Sequence, residues 1–183
     1  MQRFSAERDA GTPDELWLTG HAPVYTLGLA GRAEHLLHET AIPVVKTDRG
    51  GQITYHGPGQ AVVYLLLDLA RRGLGVRELV RRIEQATIDL LAAHDLRGER
   101  LPGAPGVYVG GAKIAALGLR VRHGRCYHGV ALNADMELAP FSAINPCGYP
   151  GLKVTQLRDL GVALDWAAAG EELLAHLIRV LES

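Results

Sequence analysis

Two cysteines, Cys126 and Cys147, are all that 183 residues contain. That is too few for a disulfide framework and fits a reducing compartment, so a cytoplasmic protein is expected. No apolar run approaches the ~20 residues that cross a bilayer. The opening residues, Met1-Gln2-Arg3-Phe4-Ser5-Ala6-Glu7-Arg8, lack the apolar stretch of a signal peptide. Membrane contact is therefore not expected. The formal net charge is −1, so no global field draws nucleic acid, and an acidic partner must be met by a local basic patch. Arg71, Arg72, Arg77, Arg81 and Arg82 are candidates for that patch, against the alternative of a solvated helix face. The eight histidines are scattered, and neither Cys-x-x-Cys nor His-Glu-x-x-His spacing occurs, so no metal site is expected. Repeats, low-complexity tracts and linkers are missing as well.

What is present is ordinary in bulk: 48% hydrophobic and 21% charged residues, the composition of a soluble globular protein. One domain over residues 1–183 is expected, long enough to bury a real core. Short strands are predicted at residues 16–18, 24–27 and 42–46, and a buried strand at 61–67. Residues 77–94 read as a helix, with Leu79, Val80, Ile83, Ala86, Leu90 and Leu91 on one face. Val107-Tyr108-Val109, Gly110-Gly111 and residues 112–122 read as a hairpin. A second turn at His123-Gly124 leads into residues 126–133 and makes a three-strand meander. Residues 140–151 form a Pro/Gly loop, and 155–160 a short helix. A last helix spans about 166–181, with Asp165 as N-cap. Strands dominate with helices mixed in, which predicts a mixed α/β or α+β fold.

The most distinctive segment is Arg49-Gly50-Gly51-Gln52-Ile53-Thr54-Tyr55-His56-Gly57-Pro58-Gly59-Gln60. Glycine lets backbone approach a ligand, and the polar side chains can aim at what the glycines admit. The alternative is a plain Gly/Pro turn. Nothing here matches the Gly-Lys-Ser/Thr ending of a P-loop. Cys147 lies in Asn145-Pro146-Cys147-Gly148-Tyr149-Pro150, where stiff prolines and a glycine leave a sulfur approachable. A free thiol titrates near ~8.5 and a nearby cation lowers that value, which yields nucleophilic thiolate. Otherwise it is a bland loop cysteine. Cys126, at a strand start, reads as structural. Lys113 opens an apolar run, either solvated or pointing inward toward a thiolate. His56 and His128 each stand beside a glycine and are candidates to line a pocket; His21, His35, His38, His94, His123 and His176 read as surface or cap residues.

The glycine-rich segment resembles the signature of the bacterial lipoyl(octanoyl) transferases. The resemblance continues through Leu74-Gly75-Val76-Arg77-Glu78-Leu79-Val80 and Ala104-Pro105-Gly106-Val107-Tyr108-Val109. It extends to Lys113-Ile114-Ala115-Ala116-Leu117-Gly118-Leu119-Arg120, His128-Gly129-Val130-Ala131-Leu132-Asn133 and Asn145-Pro146-Cys147-Gly148-Tyr149. The blocks stand in family order over roughly residues 14–160. The resemblance implies transfer of an octanoyl group from acyl carrier protein to a lysine of lipoyl domains, those of 2-oxoacid dehydrogenases and of the glycine cleavage H protein. It implies an acyl-thioester on Cys147, a proton-relaying Lys113 that favours the thiolate, and no cofactor. The acyl chain would be held by Arg49, Gly50, Gly51, Gln52, Ile53, Thr54, Tyr55 and His56, by Ala116, Leu117 and Gly118, and by His128, Gly129 and Val130. The implied fold is that of the biotin and lipoate protein ligases, and a monomer is expected.

The chain departs from the family pattern in two places. Ala116 stands where the family often has Ser. Only thirteen residues precede Asp14, fewer than relatives usually carry, which leaves the sheet edge open. Three rival functions remain: an ATP-using lipoate or biotin ligase, a cysteine amidotransferase moving lipoyl groups between proteins, and a non-catalytic acyl-binding module. The presence of both Lys113 and Cys147 argues against the last.

Overall fold

The computed structural model describes residues 1–182. Its elements are α1 (Gln2–Glu7), β1 (Glu15–Thr19), β2 (Val24–Leu27), β3 (Val44–Lys46), β4 (Ile53–His56) and β5 (Gln60–Asp68), then α2 (Val76–Ala93) and β6 (Glu99–Leu101). After these come β7 (Ala104–Val109), β8 (Ala112–Arg122), β9 (Arg125–Asn133) and α3 (Trp166–Glu182). A six-stranded sheet runs β1-β5-β9-β8-β7-β6 with every neighbouring pair antiparallel, and a three-stranded sheet runs β3-β2-β4. This is the mixed α/β arrangement predicted from the strand-rich pattern.

Two-residue alternation along β5 divides the molecule. Ala61, Val63, Leu65 and Leu67 join Leu79, Ile83, Ala86, Leu90, Leu173 and Leu177 of α2 and α3 in the main core. Val62 and Tyr64 point to the opposite face and line a cavity. The apolar stripe of α2 is the predicted one, and α2 begins and ends within a residue of expectation. Asp165 caps α3, its Oδ1 accepting from the N–H groups of Ala167 and Ala168 at 3.0 and 2.8 Å. The β7–β8–β9 meander is also present.

Several local expectations fail. The glycine-rich segment is only partly a loop, because its middle forms β4, which pairs antiparallel with β2. Ile42 and Pro43 lie outside β3. Residues 155–160 do not form a helix: Arg158–Leu160 is a single 3₁₀ turn, and Thr155 is drawn out to donate its N–H to the Lys113 carbonyl at 2.9 Å. Residues 1–13 hold α1 and a buried anchor, Arg8, neither of which was foreseen.

That anchor centres on Asp14. Its Oδ1 accepts from Arg8 at 2.6 Å and from Arg71 at 2.7 Å, and its Oδ2 from Arg72 at 2.5 Å. The Asp68 N–H adds a bond to Oδ1 at 2.8 Å. Three of the five candidate patch arginines make ion pairs within the fold. Arg71 and Arg72 hold Asp14, while Arg82 pairs with Glu78 and donates to the Val180 carbonyl. Charged side chains find nearer partners than solvent wherever a carboxylate faces them, and the sequence pattern does not reveal that.

Burial works to raise the Asp14 carboxyl, but hydrogen bonds from Arg72, Asp68 and Arg8 outweigh it and hold the group below its ordinary value. Its contribution to stability is therefore present above the unfolded value near ~3.9 and is lost as pH falls through the lower folded value. Asp14→Ala leaves the buried Arg8 guanidinium without a counter-charge and should cost about 3 kcal/mol at pH 7 in urea unfolding. The deficit relative to wild type should shrink below about pH 4.

Candidate active site

Cys147 occupies a tight turn, Pro146–Gly148, in a left-handed conformation with φ 56° and ψ 17°. A non-glycine residue is strained there, and such strain persists only where surroundings enforce it. The enforcement is visible on both sides of the turn. Upstream, the Asn145 N–H donates to the His35 carbonyl at 2.9 Å. Downstream, the chain returns beside β8, where the Lys113 N–H donates to the Lys153 carbonyl at 2.8 Å and the Thr155 N–H to the Lys113 carbonyl. The cysteine loop is thus tied to the residue that faces its sulfur.

Lys113 is 3% exposed. Its Nζ donates to Cys147 Sγ at 3.0 Å and to the Pro105 carbonyl at 3.1 Å, and it lies 5.2 Å from the centre of the Tyr108 ring. The register along β7 and β8 slips here: Tyr108 faces Lys113, but Val107 faces Ala115, so Ile114 is an extra residue. Such a bulge re-aims side chains next to it. Burial disfavours the ammonium, but the charge and hydrogen bond of a Cys147 thiolate, with help from Tyr108, outweigh that and raise the Lys113 pKa. Cys126 is the contrast. It is fully buried in the main core, and burial pushes its thiol up to about 12.

The pair stands at a cavity of about 510 Å³ between the two sheets. Of the residues singled out from sequence, Arg49, Gly50, Gly51, Gln52, Thr54, His56, Ala116, Leu117, Gly118, His128, Gly129, Val130 and Cys147 line it. Ile53 and Tyr55 do not, which corrects the sequence expectation. They alternate with Thr54 and His56 along β4, so they face away and pack with Tyr25, Met136, Phe141 and Ile144. Lys113 lies outside this lining and reaches the sulfur from behind, where it borders a much smaller void with Gln60 and Asn133.

Arg49, His56 and His128 are among the polar groups of the cavity wall. The Arg49 guanidinium donates to the hydroxyl and carbonyl of Thr26 and to the Gly50 carbonyl. Burial lowers it to about 10, partly offset by Cys147, so it remains cationic at neutral pH. His56 is pushed down to about 4 by burial, with its hydrogen bond to Gln60 opposing, and stays neutral at pH 7. Its Nδ1 shares a 2.7 Å hydrogen bond with Gln60 Oε1, an oxygen that can only accept, so Nδ1 carries the proton. His128 has φ 64°, which swings its ring out of the strand alternation toward Asp48, 2.9 Å from Nε2. Asp48 also accepts from Tyr127 and Gln2. Burial works to raise its carboxyl, but these bonds and that of His128 carry it down to about 2.

Sequence reasoning missed Asp48, Tyr64, the Pro105 carbonyl and His21. His21 was expected at the surface, but it lines the cavity and bonds Tyr64 Oη at 2.7 Å. Only the glycine neighbours of His56 and His128 marked those two as different; nothing local marks His21. The backbone N–H groups of Lys113 and Gly148, beside the sulfur, are already bonded to the carbonyls of Lys153 and Asn145.

A family model described as the lipoyl protein ligase A/B catalytic domain matches residues 1–178. Among curated proteins, an octanoyltransferase of Aromatoleum aromaticum is 64% identical over 181 residues, covering 99% of this chain and 78% of the relative. One from Thiobacillus denitrificans is 67% identical over 172 residues, covering 94% and 78%. Among solved structures, a lipoate-protein ligase A bound with ATP superposes with a TM-score of 0.81 at 17% identity, over 99% of this chain and 78% of that one. A biotin protein ligase from Aquifex aeolicus gives 0.55 at 14% identity, over 68% and 53%. At such identities these last two are alike in fold alone.

Gly118 keeps the cavity open. A Cβ there would lie 3.0 Å from Arg49 Cδ and 3.2 Å from the Gly50 carbonyl. Gly118→Val should therefore weaken binding of octanoic acid several-fold in calorimetry while affecting butyric acid less. Equal losses for both acids would mean that the chain lies elsewhere.

Proposed function

Because this chain belongs to the lipoyl protein ligase A/B catalytic-domain family, and within it to the lipoyl(octanoyl) transferases, we propose that it carries an octanoyl group on Cys147 between a carrier thioester and a lysine amine. The protein is an acyltransferase. The observation that carries the finer reading is the 3.0 Å contact between Lys113 Nζ and Cys147 Sγ at the wall of an apolar cavity.

The proposed steps follow from that contact. The Cys147 thiolate attacks the thioester carbonyl of the donor, here octanoyl-acyl carrier protein. The carrier sulfur leaves and takes a proton from the Lys113 ammonium. The acyl group then sits as a thioester on Cys147, and the eight-carbon chain lies in the cavity. A lysine of a lipoyl domain attacks next; the Lys113 amine accepts its proton as the Cys147 thiolate departs. Division into two steps means that donor and acceptor need not be present together. It also suits an acceptor whose free amine is scarce at pH 7, since its reference pKa is near ~10.4. The donor thioester already supplies the driving force, so no nucleotide is required.

An ATP-using ligase shares the fold. Relatives at 64% and 67% identity carry the name octanoyltransferase, and the dyad supplies a covalent route that activation by ATP would not need.

Cys147→Ala should abolish transfer from octanoyl-acyl carrier protein without added ATP, and intact mass should show no acyl adduct. Cys126→Ala should keep the adduct, because that sulfur is buried away from the cavity. Lys113→Arg keeps a cation but cannot release a proton near pH 7. It should still acylate Cys147, because the carrier sulfur can leave as a thiolate and take its proton from water, yet pass the group to a lipoyl domain at least ~100-fold more slowly, the usual weight of general-base catalysis. Normal turnover in Lys113→Arg would remove the proton relay from the mechanism.

A further inference from the structure

Glu84 is a buried carboxylate that the steps above do not use. It lies on α2, whose other buried positions are Leu79, Ile83, Ala86, Thr87, Leu90 and Leu91, and is itself 5% exposed. A charge there is costly unless it is paired and hydrogen-bonded. Oε1 accepts from the Gly106 N–H at 3.0 Å, and Oε2 from Arg100 Nε at 3.0 Å. Arg100 also donates to the Arg81 carbonyl and to Gln85, which holds it against the same helix.

The Gly106 N–H and the Pro105 carbonyl belong to one peptide group. The carbonyl accepts from Lys113 Nζ at 3.1 Å while the N–H donates to Glu84. A carboxylate on the N–H end of a peptide increases negative charge on its oxygen, since hydrogen bonds in a chain polarise one another. The chain runs Arg100, Glu84, Pro105–Gly106 peptide, Lys113, Cys147. Gly106 adopts φ 135°, and a Cβ there would lie 2.7 Å from the Ala115 carbonyl and 3.1 Å from Lys113 Cε. Only glycine lets the peptide come this close to the lysine.

We infer that Glu84 is a positioning residue which, through the Pro105–Gly106 peptide, sets how firmly Lys113 holds its proton once the Cys147 sulfur is no longer charged. While the sulfur is a thiolate, it is the dominant counter-charge to the lysine. When the sulfur is covalently capped, burial presses Lys113 toward the neutral amine and the polarised carbonyl resists. The other groups facing Lys113 are Tyr108 on β7 and, beyond the sulfur, Arg49 on the cavity wall; Tyr149 follows Cys147 on its loop. This inference rests on the acyl-Cys147 reading for its meaning in catalysis, but its test does not need acyl transfer.

The sulfur of Cys147 is capped as the methyl disulfide with methyl methanethiosulfonate in a Cys126→Ala background, and lysine ¹³Cε resonances are followed against pH. Lys113 is assigned by its loss in Lys113→Arg. Glu84→Gln keeps an oxygen for the Gly106 N–H but removes the charge, and should lower the Lys113 midpoint by about half a unit to one unit. Arg100→Gln removes the compensating cation at a partly exposed position and should move the midpoint the other way. The second variant decides the matter should Glu84→Gln not fold. A merely structural Glu84 predicts unchanged midpoints in both, and that result, or a shift of the same sign in both, overturns the inference. A separate pH profile of the second transfer step should shift in the same directions. Absence of any octanoyl adduct in wild type would strike the functional reading and leave the titration result standing.

Discussion

The contact between Lys113 and Cys147 organises this molecule. An ammonium that is 3% exposed is tolerable only if its donors are met, and its partners come from two parts of the chain, the cysteine turn and β7. The sulfur arrives from a strained turn, the Pro105 carbonyl from β7, and the ring of Tyr108 from the residue directly across the ladder. The bulge at Ile114 and the return of residues 153–155 beside β8 are the local irregularities that bring them together. Removing either would leave a buried charge without compensation, which is why the irregularities are part of the design.

The cavity follows from a different constraint. Two sheets meet across a gap that the larger sheet's inner face does not fill, because that face presents small residues, Ala116, Gly118, Gly129 and Ala131, where bulky ones would close it. The opposite face of the same strands carries the main core against α2 and α3. Strand alternation therefore gives one sheet two duties, packing on one side and an open apolar chamber on the other. Three of the polar groups in the chamber already have partners: Arg49 bonds to Thr26, His56 to Gln60 and His128 to Asp48. An apolar chain entering there meets groups already bonded elsewhere, so desolvating them costs little.

Charge is distributed by the same logic. Asp14 gathers three guanidinium groups and thereby ties α1, β1 and the segment before α2 to one another. Arg71 and Arg72, two of the five arginines named from sequence as a docking patch, also fasten the fold through Asp14. Arg77 and Arg81 are the two of the five that make no ion pair among the described residues.

Much of this was legible in the chain itself. Periodicity marks α2, because burial of one face imposes a repeat that survives in the residue types, and a short apolar run marks β5. The Gly110-Gly111 and His123-Gly124 turns mark the meander, since glycine readily adopts the backbone required. The blocks around His56, Lys113, His128 and Cys147 carry the family resemblance, and with it the two residues proposed to react. Which neighbours those residues meet was not legible. That Lys113 touches Cys147 depends on a bulge and on a loop closing across 34 positions. That Ile53 and Tyr55 turn away from the cavity depends on β4 being a strand, inside a segment whose glycines argue for a loop. Asp48, Tyr64, His21 and Glu84 have no local signature at all, because a polar side chain's role is set by the partner opposite it, and only tertiary structure supplies the partner.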